Sequence, residues 1–81
     1  MVRSVFTPSY ARLRRLLVTA RESQGLTQHD LAKRLRKPQS FVSKYERGER
    51  RIDVVEFLHI ADAIGVDACE LLAELARGNG G

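Results

Sequence analysis

Pro8, Gly25, Pro38, Gly48 and Gly65 cut this chain into five short segments. Proline and glycine interrupt regular structure, the first by removing a backbone donor and the second by its freedom to turn. No segment alternates apolar and polar residues as a half-buried strand does, and no repeat or low-complexity stretch is present. The chain is therefore expected to be all-α, a bundle of five short helices. At about 100° per residue, Tyr10, Leu13, Leu16, Leu17 and Ala20 share one side of the first helix. Thr7 or Ser9 can cap it, Pro8 suits its first turn, and Gly25 can end it in a left-handed conformation. Thr27 and Asp30 have capping-box spacing, with Asp30 a shorter substitute for Glu. Leu31, Ala32 and Leu35 then face inward.

Asp53 with Glu56, and Asp67 with Glu70, repeat the cap for two further helices. The expected inner stripes are Val54, Phe57, Leu58, Ala61 and Ile64 for one, and Leu71, Leu72 and Leu75 for the other. Residues 1–8 read as an N-terminal arm, 9–76 as the domain and 77–81 as a disordered tail.

The 81 residues suffice for one small domain, and 43% hydrophobic with 30% charged residues is ordinary for a soluble one. The single cysteine, Cys69, excludes an internal disulfide framework and fits a reducing compartment. No apolar run approaches the ~18 residues of a membrane span, and 1-MVRSVFTPSY-10 lacks the core and cleavage site of a signal peptide. A cytoplasmic protein with no membrane partner is expected. The net charge of +4 is divided unevenly: residues 1–51 hold 13 Lys or Arg against 4 acids, a balance of +9, whereas residues 52–81 hold 1 against 6, a balance of −5. One half suits a polyanion; the other is left to face elsewhere.

The segment 38-PQSFVSKYERGERRID-53 carries the most chemistry. On a helical projection Gln39, Ser43, Arg47, Ser40 and Lys44 fall within an arc of roughly 140°, while Phe41, Tyr45 and Val42 occupy the opposite side. The apolar arc can pack on a bundle and the polar one face out. Gln can bond adenine through its amide, Lys can donate to guanine, and Ser can serve either base, so this arc has the groups needed at base edges in a major groove. A basic loop, 47-RGERR-51, follows, and a short helix lies just before. Two such helices in succession form a helix-turn-helix, whose second member reads the groove.

The run 26-LTQHDLAKRLRKPQSFVSKYERGER-50, continued by 57-FLHIADAIGVDACELL-72, resembles the helix-turn-helix of the Cro and phage-repressor type, over roughly residues 9–75. The resemblance implies a five-helix repressor-like domain, with helices 2 and 3 as the helix-turn-helix, that binds double-stranded DNA, usually as a homodimer on a near-palindromic operator. It places Gln39, Ser40, Ser43 and Lys44 at base-reading positions. Thr27, Gln28, Lys37, Arg47, Gly48, Arg50 and Arg51 come to lie along the DNA backbone. Ala32 is small so that the third helix can approach, and Glu46 pairs with Arg21 as a structural ion pair. In the turn, Arg36-Lys37-Pro38 replaces the family's common Gly, apolar residue and Ser. An Arg at a positive φ costs on the order of 1 kcal/mol relative to Gly, and Pro38 cannot cap through a side chain.

Nothing points to an enzyme: no phosphate loop and no nucleophile–base arrangement occurs. His29 and His59 read as exposed helix residues and Cys69 as a minor packing residue, so neither a metal nor another cofactor is expected. A transcriptional regulator acting as a repressor is the leading expectation. An antitoxin with a toxin partner, or an antiactivator that binds protein instead of DNA, uses the same fold. Val66, Leu71, Leu72 and Leu75, in the acidic half, are the expected dimer surface.

Overall fold

In the computed structural model, which describes residues 7–78, the helices are α1 (Pro8–Ser23), α2 (Gln28–Leu35), α3 (Gln39–Glu46), α4 (Val54–Ile64) and α5 (Ala68–Gly78). Of the arm expected at residues 1–8 and the tail at 77–81, residues 1–6 and 79–81 lie outside the described residues, whereas Pro8 opens α1 and residues 77–78 belong to α5. The starts of α1, α2, α4 and α5 follow side-chain caps. The Thr7 hydroxyl accepts from the Tyr10 amide at 3.1 Å. Both Thr27/Asp30 and Asp53/Glu56 form reciprocal capping boxes, and Asp67 Oδ1 accepts from the Cys69 amide at 2.8 Å. Each cap satisfies amides that the helix itself leaves unpaired, typically worth ~1 kcal/mol.

The core is drawn from the first four helices, with Leu17, Leu31, Val42, Tyr45, Ile60 and Ile64 fully buried. Burying an aliphatic side chain of this kind contributes about 1.5–3 kcal/mol, so Leu17→Ala would cost roughly 2–5 kcal/mol. Helix α5 has no fully buried residue and lies against α1 and α4, with Leu71 packed on the core. Ala32 is 2% exposed beside Val42 and Tyr45 in the same core cluster, so its small size lets α2 and α3 close together.

Three expectations are corrected. The inner face of α4 is Phe57, Ile60, Ala61 and Ile64, whereas Val54 and Leu58 are 72% and 46% exposed. Apolar residues cover more than half the circumference of this helix, so periodicity could not select which arc packs. Leu16 is only half-buried and lies outside the core cluster. Cys69 is exposed and does not pack.

The turn into α3 explains its unusual sequence. Arg36 takes the left-handed conformation at φ 59° and ψ 42°. The Lys37 amide reaches back to the Ala32 carbonyl at 3.0 Å, the six-to-one bond that closes a helix C-terminus. Pro38 stands at the N-cap with φ −63°, one residue before the first helical position and without a side-chain cap.

Candidate nucleic-acid interface

Helix α3 is anchored by its apolar side. Val42 and Tyr45 are fully buried, and Phe41 meets Tyr45 edge-on with ring centroids 5.6 Å apart. Anchoring that arc turns Gln39, Ser40 and Lys44 outward, where all three are exposed. Their side chains make no hydrogen bond to another described residue, leaving amide, hydroxyl and ammonium groups available outside. Ser43 is half-buried and its hydroxyl already accepts from Arg47 NH1 at 2.6 Å.

The far end of α3 is held from α1. Arg14 NH1 donates to the Glu46 carbonyl at 2.9 Å, placing a cation at the negative end of the helix dipole. The Glu46 carboxylate receives Arg21 Nε at 2.8 Å and NH2 at 3.1 Å, and Gln28 Nε2 at 2.8 Å. The hydrogen bonds that Arg21 donates to Glu46 raise the Arg21 pKa above its ordinary value, although burial acts in the opposite direction. The expected Arg21–Glu46 pair is thus present. Gln28, expected beside a phosphate, spends an amide hydrogen on the same carboxylate. Thr27 caps α2 and sits at its exposed start.

In the basic loop, Gly48 has φ +80°, and a Cβ there would come within 3.1 Å of the Arg14 guanidinium. Glycine is needed at this position for both conformation and space. Arg47 Nε and NH2 bond Glu49 at 2.9 and 3.1 Å, and Arg50 NH1 and NH2 bond Glu56 at 3.0 and 2.8 Å. The hydrogen bond from Arg47 holds the Glu49 carboxyl below the usual range, and that from Arg50 does the same for Glu56. The Arg50 guanidinium lies 4.8 Å over the Phe41 ring, with Lys37 Nζ at 5.3 Å from it. Arg51 lies 5.1 Å over the ring of Tyr10, whose hydroxyl accepts from the Ile52 amide at 3.0 Å. Tyr10 therefore fixes the loop to α1.

The structure brings Lys37, Arg47, Gly48, Arg50 and Arg51 around the two ends of α3, joined to the outward Gln39, Ser40 and Lys44. It also shows residues that sequence reasoning missed: Arg14, the Gln28–Glu46 bond and the Glu56 partner of Arg50. The spacing of Arg14 and Arg21, two turns apart on one face of α1, was the available signal for the first. Of the four expected dimer residues, Val66 and Leu71 are packed on the core, Leu75 is half-buried and Leu72 is 45% exposed. Val54, Val55 and Leu58 project nearby from α4, and Val54 and Leu72 line one shallow groove. Among the described residues no group of three or more His, Cys, Asp or Glu is arranged to hold a metal ion. None of the described helices is long and apolar enough to cross a membrane.

Comparisons with known proteins agree with this geometry. The helix-turn-helix family profile matches residues 17–71. The fold superposes on an XRE-family like protein from Pseudomonas syringae pv. tomato str. DC3000, with a TM-score of 0.83, 49% identity, and coverage of 85% of this chain and 84% of that one. An uncharacterized HTH-type transcriptional regulator, y4dJ, of Sinorhizobium fredii (strain NBRC 101917 / NGR234) is 34% identical over 71 residues, 88% of this chain and 83% of its own length. The restriction-modification controller protein C.Esp1396I, solved as a tetramer in complex with its natural 35 base-pair operator, shares the fold at a TM-score of 0.79 and 20% identity, over 88% of this chain and 93% of that one. An outward polar helix flanked by arginines, on this fold and with these relatives, identifies the chain as a member of the helix-turn-helix family of DNA-binding transcriptional regulators.

Proposed function

We propose that this protein is a sequence-specific repressor that binds a near-palindromic operator as a homodimer. The observation that carries the reading is the outward arc of α3: Gln39, Ser40 and Lys44 are exposed and make no side-chain hydrogen bond to another described residue, while the opposite arc is locked into the core. Such an arc, entering a major groove, reads base edges, with Ser43 beside it. Thr27, Gln28, Lys37, Arg47, Gly48, Arg50 and Arg51 lie around it where they meet the sugar–phosphate backbone and set register.

Dimerisation follows from the size of the reading element. An eight-residue helix is only about 12 Å long, and one copy contacts too few base pairs for a useful specificity ratio. A two-fold pair with half-sites about 34 Å apart doubles those contacts. Val54, Val55, Leu58 and Leu72 supply the apolar surface, being 72%, 58%, 46% and 45% exposed in the acidic half of the chain; exposed patches of this kind mark association sites. Leu75, at the edge of the same groove, extends it. The C.Esp1396I complex, a tetramer on operator DNA, provides a precedent for assembly on this fold. Occupying a promoter is then sufficient for repression. Selection of bound sites from a random duplex pool tests the reading: one enriched motif with two-fold symmetry is expected, and no enrichment would refute it.

A further inference from the structure

The two arginines expected to meet phosphate at either side of Gly48 both already have carboxylate partners, but the partners differ. Arg47 and Glu49 are mutually 57% and 53% exposed, and no other side chain hydrogen-bonds the Glu49 carboxylate. Exposed pairs of that kind are weak and exchange readily with solvent. Arg50 and Glu56 are 41% and 22% exposed and meet through both carboxylate oxygens. Glu56 is also fixed, because its Oε1 accepts from the Asp53 amide at 3.0 Å in the capping box that starts α4. Arg50 is held in turn by Phe41 beneath its guanidinium and by a 2.8 Å bond from NH1 to the Arg51 carbonyl. An immobile carboxylate thus neutralises a cation placed beside the reading helix. A phosphate that engages Arg50 must compete with it.

We propose that Glu56 sets the affinity of the seated complex, acting as an internal competitor for phosphate at Arg50. The proposal rests on the DNA-binding reading above and deepens it. In a loose complex on arbitrary sequence, held almost entirely by cations near phosphates, no phosphate is brought to hydrogen-bonding distance of Arg50. Glu56 keeps that arginine, and the loose complex loses its contribution. When α3 seats in its own site, the backbone is pressed against the loop, and a bidentate phosphate replaces the carboxylate. Seating costs the full Arg50–Glu56 pair, whereas the loose complex forgoes only the weaker contact it could have made, so Glu56 restrains the seated complex more.

Glu56→Gln tests this, since the Gln amide oxygen can still accept from the Asp53 amide and keep the cap. Affinity is measured across a salt series for the selected site and for a random-sequence duplex of equal length, with thermal melting as the control for folding. The variant is expected to bind the selected site roughly three- to tenfold more tightly, and the random duplex with a smaller gain. In an Arg50→Ala background the same substitution is expected to change little. Equal tightening on both duplexes, or an undiminished effect without Arg50, would mean that Glu56 acts only as a general negative charge and would overturn the proposal. Weaker binding by Glu56→Gln would make Glu56 a support for Arg50 instead, and overturn it as well. Failure of the unmodified protein to bind any duplex at low salt would overturn the parent reading, and this proposal with it.

Discussion

Arg21 of α1 and Glu46 of α3 meet through two hydrogen bonds, 2.8 and 3.1 Å, with side chains only 10% and 6% exposed. Gln28 adds a third donor to the same carboxylate, and Arg21 NH1 reaches the Leu26 carbonyl at 2.7 Å. One pair thus joins α1, the start of α2 and the end of the reading helix. Removing one member leaves the other charge poorly solvated, which typically costs 3–5 kcal/mol for a buried pair. Glu46→Ala is expected to destabilise by about 3 kcal/mol in urea unfolding, and Gln28→Ala by about 1 kcal/mol. A double-mutant cycle on Arg21 and Glu46 that showed no coupling would remove the pair as the source.

Tyr45 presents the opposite case. Its ring is fully buried, yet its hydroxyl finds no hydrogen-bond partner among the described residues. An unsatisfied buried polar group is unfavourable, so Tyr45→Phe is expected to be neutral or to stabilise by up to about 1 kcal/mol. Burial also pushes the phenol well above its ordinary pKa of 10.0. The neutral form is favoured in the fold, so the linked stability is intact below the unfolded value near 10 and is lost as pH rises beyond it. Thermal melts from pH 8 to 11 check both points. The unmodified protein should lose more stability above pH 10 than Tyr45→Phe, and equal losses would contradict the account.

The dimer surface can be tested without touching DNA contacts. Leu58 is half-exposed, and its neighbours Val54 and Val55 are more so. Leu58→Glu is expected to leave the melting temperature within a few degrees, because the side chain is not in the core. It should convert the dimer to monomer in sedimentation and weaken operator binding by at least tenfold. Unchanged sedimentation would move the interface elsewhere.

Much of this architecture was legible before any coordinates. Local rules held where local chemistry decides: Thr27/Asp30 and Asp53/Glu56 cap as their spacing suggests, and Arg36 takes the left-handed turn despite not being glycine. The division of α3 was equally plain, because its apolar and polar residues do not intermix. In α4 the division failed, because Val54, Val55 and Leu58 extend the apolar arc beyond what the core covers. Which leucines of α5 are spent on the core was hidden for a related reason, since their share depends on how that helix lies on α1 and α4. Of the pairings in the candidate site, Arg21 with Glu46 was legible through the family resemblance and the others were not. Arg14 on the Glu46 carbonyl was signalled only by its place two turns before Arg21 on one face of α1, and Glu56 on Arg50 joins different elements, so no spacing within one helix announces it.

Within the interface, Lys44 and Arg51 should separate cleanly. Lys44 projects from the outward arc of α3, whereas Arg51 lies over Tyr10 in the loop. Arg51→Ala is expected to weaken binding to all sequences alike and to flatten the log–log salt slope by about 0.9. A changed sequence preference with an unchanged slope would reassign Arg51 to the groove.

The most direct measurement is binding-site selection from one random duplex pool, run in parallel with the unmodified protein and with Lys44→Ala. If α3 reads bases through its outward arc, the unmodified protein enriches a single two-fold motif. The variant then loses preference at one or two base pairs in each half-site, each contact being worth about 1–3 kcal/mol, and keeps the rest. The same motif recovered in full by Lys44→Ala, or no motif from the unmodified protein, would contradict the account.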